Sequence, residues 1–149
     1  MPDAGPDAPL ASIDTNVLVS GLSLRKGWPY MVFRARQENR IQLVVSVSQF
    51  AELADVFQRD HLYQKYEITV EQAQDLLSEL ANIVVADGTA IESIAIRDSD
   101  DIVILATANE LGDEFLITGD QDLLATAEAA SSFGLQIVTP RQFGEKFNL

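Results

Sequence analysis

The stretch Leu10-Ala11-Ser12-Ile13-Asp14-Thr15-Asn16 is a short apolar run that ends in an acid and is followed at once by a hydroxyl and an amide. A second stretch of the same grammar comes a hundred residues later, Phe115-Leu116-Ile117-Thr118-Gly119-Asp120-Gln121-Asp122. Read as strands, both runs are too apolar to have a wetted face, which is the signature of a parallel sheet covered on both sides. If the two strands are parallel neighbours, Asp14 and Asp120 stand at one edge of that sheet, the edge where open α/β folds bind their ligands.

Working outward from these two runs, the chain alternates strand and helix patterns. Asn16, Ser20 and Gly21 supply turn and cap chemistry after the first strand. Helical spacing of Met31, Val32 and Ala35 predicts a helix from Trp28 to Glu38, and Ile41 to Val45 is a β-branched strand. Ser46 or Ser48 caps the next helix, with Phe50, Leu53, Ala54 and Phe57 on its apolar face. From Thr69 to Ile83 the pattern is the strongest in the chain: Thr69 caps, Gln72 completes a capping box, and Ala73, Leu76, Leu77 and Leu80 form the stripe. The single histidine, His61, falls in a loop expected between Arg59 and Lys65, and Val84 to Ala86 is a strand. Asp98, Ser99 and Asp100 are N-cap candidates for a helix from Asp101 to Leu111, which Gly112 stops. After the strand Phe115 to Thr118, a helix is expected over Leu123 to Ser131 with Gly134 as its stop, then a last strand, Gln136 to Val138, before Pro140. This alternation predicts an α/β domain with a mainly parallel central sheet. The right-handed crossover rule puts all strand C-termini on one edge, together with helix N-termini that bring Asp101 there.

Four acids, Asp14, Glu52, Asp101 and Asp120, therefore read as one site assembled by folding. Each has a plainer explanation taken singly. Asp14 can close an Asx turn, Glu52 can be a solvated helix residue, and Asp101 and Asp120 can be helix caps favoured by the dipole. Capping does not account for the three acids Asp98, Asp100 and Asp101 leading into the nearly all-apolar run Ile102 to Ala108. Two like charges about 4 Å apart repel by roughly 4 kcal/mol at an effective dielectric of ~20, so four carboxylates in one pocket need protons or a cation. Oxygen donors without sulfur or histidine point to a hard divalent ion, Mg²⁺ or Mn²⁺.

Composition narrows the partners. A formal net charge of −13 over 149 residues excludes coating of nucleic acid by bulk attraction. Any contact with nucleic acid is local, and Arg25, Lys26, Arg34, Arg36 and Arg40, half of the ten basic residues, form a candidate phosphate-facing patch. A solvated helix face balancing an acidic surface explains them equally well. The absence of cysteine removes disulfides, thiolate metal sites and thiol nucleophiles, and fits a reducing, cytoplasmic setting. Residues 1–9, rich in Pro, Ala and Asp, are expected to be a flexible tail without signal-peptide character, and 10–149 a single domain. No apolar run approaches the ~20 residues of a membrane span.

Taken in order, Asp-Thr-Asn at 14–16, Ser-x-x-x-Glu-Leu at 48–53, Asp-Asp-x-x-x-Leu-Ala-x-Ala at 100–108 and Thr-Gly-Asp-x-Asp-Leu-Leu at 118–124 resemble the PIN-domain ribonucleases, in particular the branch of toxins from toxin–antitoxin pairs. The resemblance covers nearly everything after residue 10. It implies a three-layer α/β/α sandwich and an acidic pocket for one or two Mg²⁺ or Mn²⁺ ions. Asp14, Glu52, Asp101 and Asp120 match the family's four acids, with Asp100 competing with Asp101 for the third role. Asn16 and Thr118 match supporting positions, and Asp122 matches a further acid that reaches a second metal. The activity implied is metal-dependent endoribonuclease, with RNA as substrate, an antitoxin protein as partner and pairing into a homodimer. His61 is then expected to be a surface residue or RNA contact more than a catalyst. Two other readings are a phosphatase-like magnesium enzyme with Asp14 as nucleophile and a non-catalytic interaction module docking through the Thr69–Ile83 helix. The phosphatase pattern asks for a second Asp where Asn16 stands, and a receiver domain for a late Lys where only Lys146 is found.

Overall fold

In a computed structural model, residues 8–24, 26–88, 99–132 and 134–149 are described. Five strands, β1 (Leu10–Ile13), β2 (Gln42–Ser46), β3 (Val84–Val85), β4 (Phe115–Ile117) and β5 (Gln136–Val138), form one sheet in the order β3-β2-β1-β4-β5. Every pairing is parallel, with Ser12 opposite Val44 on one side and Leu116 on the other. The chain winds outward from β1 to β2 and β3, then returns to lay β4 against the free side of β1. The strand order thus reverses between β1 and β4, and this is where a crevice opens in a doubly wound sheet.

The helices are α1 (Thr15–Leu24), α2 (Gly27–Gln37), α3 (Val47–Gln58), α4 (Leu62–Tyr66), α5 (Val70–Ala81), α6 (Ser99–Glu110), α7 (Gln121–Leu124), α8 (Ala127–Ser131) and α9 (Pro140–Lys146). They cover both faces of the sheet, as the alternation of β4 records. Phe115 and Ile117 join Ala11, Ile13 and the apolar faces of α1, α2, α3, α5 and α9 in one cluster, whereas Leu116 points the other way into a second cluster with α6, α7 and α8. Strand side chains alternate between faces, so a strand buried on both sides must be apolar throughout. This is the α/β/α arrangement expected.

Four local readings are corrected. The residues after Asp14 form the ten-residue helix α1 and no extended turn; Gly21 sits inside it, where a Cβ would lie 2.8 Å from Phe33 Cβ and 2.8 Å from the Pro29 carbonyl. Its small size lets α1 and α2 approach closely. The expected helix over 123–131 is broken into α7 and α8, with the Thr126 hydroxyl donating back to the Leu123 carbonyl at the break (2.7 Å). The loop expected around His61 contains α4, preceded by His61 in the left-handed region. Beyond β5 the chain starts a further helix, α9, through a Thr139–Gln142 capping box with Pro140 at its start. Edge-on contacts of Phe115 with Phe143 (5.2 Å) and Phe147 (5.4 Å) seat α9 on the sheet. The Thr69–Gln72 capping box of α5 is present as read, and Ser46 is the one of the two serines that caps α3. The tail reading falls mainly on residues 1–7, and Asp98 with it, outside the described residues.

Among the described residues, no helix is long and apolar enough to cross a membrane.

Candidate active site

Parallel pairing of β1 with β4 brings the two strand-terminal acids to the same edge. The Asp14 amide donates to the Ile117 carbonyl at 2.9 Å, so the chain leaves both strands at one level. Asp14 then begins α1: its carbonyl accepts from Val17 (3.0 Å) and Leu18 (3.1 Å). Asp120 begins α7, its Oδ1 accepting from the Asp122 amide at 2.8 Å. The turn reading of Asp14 and the cap reading of Asp120 both hold, and each acid still lines the crevice.

Thr118, fully buried between them, ties the two acids together. Its hydroxyl donates to Asp14 Oδ2 (2.7 Å) while its Oγ1 accepts from the Asp120 amide (3.0 Å). Both of its hydrogen-bonding roles are used, so the Asp14 carboxylate has one orientation. From the other flank, α3 starts at the end of β2. Ser46 caps it by accepting from Gln49 (3.1 Å), and the buried Gln49 amide donates to the Ile13 carbonyl next to Asp14. Glu52 lies three residues after Gln49, on the same helix face.

These groups share a pocket of about 180 Å³ lined by Asp14, Thr15, Asn16, Ser46, Ser48, Gln49, Glu52, Val103, Ile104 and Asp120. Among the described residues that line it, none is cationic. Burial pushes the Asp14 carboxyl above its ordinary value of 3.8, and the nearby charge of Asp120 adds to the rise; hydrogen bonds from Thr118 and from the Asn16 and Thr15 amides oppose it. A carboxylate held ionised there lacks a counter-charge, which a divalent ion supplies. Donor chemistry therefore fits a hard cation: carboxylate, hydroxyl and amide oxygens, with no sulfur or imidazole. Among the described residues no three acidic or histidine side chains already stand as a closed ligand cluster. Asp100 and Asp101 lie in the first turn of α6, whose next turn contributes Val103 and Ile104 to the pocket wall; their side chains are outside what is described.

Not every predicted residue reaches the pocket. Asp122 is exposed and absent from its lining; its backbone serves Asp120. The basic patch is dispersed. Arg36 is a correction: it is 8% exposed and forms a 2.6 Å ion pair with Glu79, so it braces α2 on α5 and is not offered to a substrate. Arg40 is another. It precedes β2, on the sheet edge opposite the acids, and donates to the Phe147 carbonyl at 3.0 Å. Arg34 is exposed, donates to Tyr30 Oη at 3.1 Å and faces the groove between α2 and α5. Lys26 is exposed at the start of α2, and Arg25 lies outside the described residues.

Two contributors escaped the sequence reading: Gln49 and Asp87. Asp87, just beyond β3, accepts from the Ser48 amide (2.9 Å) and from its hydroxyl, which holds its carboxyl below the ordinary range. It thereby anchors the start of the helix that carries Glu52.

A strand-reversal crevice lined by carboxylates, in a parallel α/β/α domain, is the place where open α/β folds bind their ligands. Comparison with protein families makes the assignment specific: the PIN domain model matches residues 11–122, and the chain belongs to the PIN-domain family, whose members are generally nucleases that use divalent metals. No curated protein matches the chain.

Proposed function

We propose that this protein is a Mg²⁺- or Mn²⁺-dependent endoribonuclease, with Asp14, Glu52, Asp101 and Asp120 as the metal-holding and catalytic acids and Asp122 as a ligand for a second ion. The observation that carries the proposal is the convergence of Asp14, Glu52 and Asp120 on one pocket at the β1/β4 reversal, in a family of nucleases. A bound divalent ion supplies a water of lowered pKa and neutralises charge on the phosphoryl oxygens.

The chain's own residues do the rest. Thr118 fixes the Asp14 carboxylate and, through the Asp120 amide, the second acid. Gln49 locks the end of β1, and Asp87 the start of α3, so that Glu52 approaches from a rigid helix. Asn16 stands on the pocket wall as a neutral amide able to orient a ligand without adding charge. His61, exposed before α4, has no place in the reaction.

Within this reading the protein is the toxin of a toxin–antitoxin pair, acts as a homodimer on cytoplasmic RNA, and is silenced by an antitoxin protein. The motif resemblance supports that role.

The test is cleavage of RNA by wild-type protein with Mg²⁺, Mn²⁺ or chelator, beside Asp14→Asn and Asp101→Asn. Metal-dependent cleavage lost by about 10²-fold or more in both variants supports the reading, because removing one charged ligand or transition-state contact costs on that order. Cleavage unaffected by either substitution refutes the metal site.

A further inference from the structure

Immediately beside the acidic pocket lies a second, larger and mainly apolar groove of about 480 Å³, lined by Asn16, Val17, Ser20, Trp28, Pro29, Gly119, Asp120, Thr139, Pro140 and Arg141. The two cavities share Asn16 and Asp120, so whatever leaves one across those residues enters the other. We propose that this groove holds a nucleobase of a single-stranded substrate, the one flanking the phosphate cleaved at Asp14 and Asp120, with Trp28 as its stacking surface. The proposal rests on the nuclease reading and names the strand state of its substrate.

Three observations argue for a base as occupant. First, the groove is continuous with the candidate active site, and its size falls in the range of about 300–1,000 Å³ typical of small-ligand pockets. Second, the indole is held along one edge. A Cβ at the buried Gly144 would collide with the Trp28 ring, so α9 backs the indole where a larger residue would displace it. Trp28 itself stays only partly buried and opens on the groove. An aromatic held at its edge, with ring surface open to a groove, supplies a platform on which bases of any sequence stack. Third, the charge balance favours a contact of this kind. At −13 the chain repels phosphates overall, and stacking is an attraction that does not depend on a basic surface.

The rim supplies what cation there is. Arg141 Nε pairs with Glu145 at 2.9 Å, but both side chains are largely exposed. An exposed pair of that kind contributes little, so the guanidinium can turn to a phosphate at small cost. A paired duplex keeps its bases stacked on each other and has none to offer; a single strand does.

Trp28 is the only tryptophan in the chain, which makes the groove directly observable. The test titrates a short 2′-O-methyl oligonucleotide, resistant to cleavage, into Asp14→Asn protein with chelator present, while following Trp28 emission and its accessibility to acrylamide. Expected are saturable quenching, protection from acrylamide, no such effect from an abasic backbone of equal length, and much weaker binding of a duplex. In the wild-type background Trp28→Ala raises KM for single-stranded RNA by about tenfold, and Trp28→Phe, which keeps an aromatic over Gly144 should Ala fail to fold, by a few-fold, since loss of one stacked base costs on that order. Both changes act mainly on KM and little on kcat. Emission that ignores the oligonucleotide, or responds equally to the abasic backbone or the duplex, overturns the proposal. So does emission that changes with protein concentration alone, which would put a second copy in the groove. Base-dependent quenching without any RNA cleavage would leave the groove standing and sink the endoribonuclease reading, and metal-dependent cleavage with a silent Trp28 would do the reverse.

Discussion

Replacing Asp113 by Asn is expected to make the protein more stable relative to wild type as pH rises, although the residue lies outside the candidate active site. Asp113 is 4% exposed, at the turn between α6 and β4. Its Oδ2 accepts from Ser12 Oγ at 2.6 Å, and its Oδ1 has no hydrogen-bond partner among the described residues. Burial pushes this carboxyl up to about 6 from the ordinary 3.8, the Ser12 hydrogen bond opposing. Because the folded value lies above the unfolded one, the folded chain binds the proton more tightly. The stability linked to this proton is fully present below about pH 4 and is lost as pH rises through about 6. A separation of about two units corresponds to at most about 3 kcal/mol at 1.36 kcal/mol per unit. The assay is urea unfolding of both proteins across this pH range, read by Trp28 emission and circular dichroism. The difference between the two curves matters, since it cancels the shared titration of the other acids and any fixed cost of the amide. The variant should gain up to about 3 kcal/mol on wild type between pH 4 and 7, or about 2–4 °C in Tm for each kcal/mol. A difference that stays flat, or shrinks toward neutral pH, would show that Asp113 ionises without penalty and refute the reasoning.

Further outcomes follow from the same contacts. Asp14→Asn should raise Tm at neutral pH in chelator, since it removes a desolvated carboxylate that faces Asp120, while abolishing the rise in Tm that Mg²⁺ is expected to give wild type in thermal scanning. Thr118→Val keeps the volume but deletes the 2.7 Å bond to Asp14; activity should fall about 10- to 100-fold, with more metal needed for half-maximal rate. That hydrogen bond lowers the Asp14 value, so its loss should also move the acid limb of the pH–rate profile upward. Thr139→Ala should cost about 1 kcal/mol in urea unfolding by uncapping α9.

The strand grammar was legible because burial on both faces leaves a strand nothing but apolar residues, and an acid marks where it leaves the sheet. Leu10–Ile13 and Phe115–Ile117 were readable for that reason. Helix α1 was harder: Val17, Leu18 and Val19 are all buried, so it lacks the polar face whose periodicity announces a helix, and Asn16, Ser20 and Gly21 imitate a turn. Helix α9 carried the same Thr-x-x-Gln signal as α5, masked by a proline that starts a helix here and was read as ending a strand. At the site, the acids could be found because their four motifs stand in one order along the chain, although each acid taken singly has a plainer explanation. The parts that hold them could not. Gln49 acts on a carbonyl 36 positions away, Asp87 on an amide 39 positions away, and Arg36 meets Glu79 only once α5 has packed on α2. Such partners are set by topology and leave no local trace.

Divalent-metal binding by the carboxylates gathered at the β1/β4 edge underlies the whole of the proposed chemistry. Titration of Mn²⁺ followed by electron paramagnetic resonance, on wild type, Asp14→Asn, Asp120→Asn and the surface control Asp55→Asn, tests it most directly. Saturable binding by wild type and the control, with affinity reduced at least tenfold in each of the other two, is the predicted result. Equal Mn²⁺ affinity in all four proteins would contradict it.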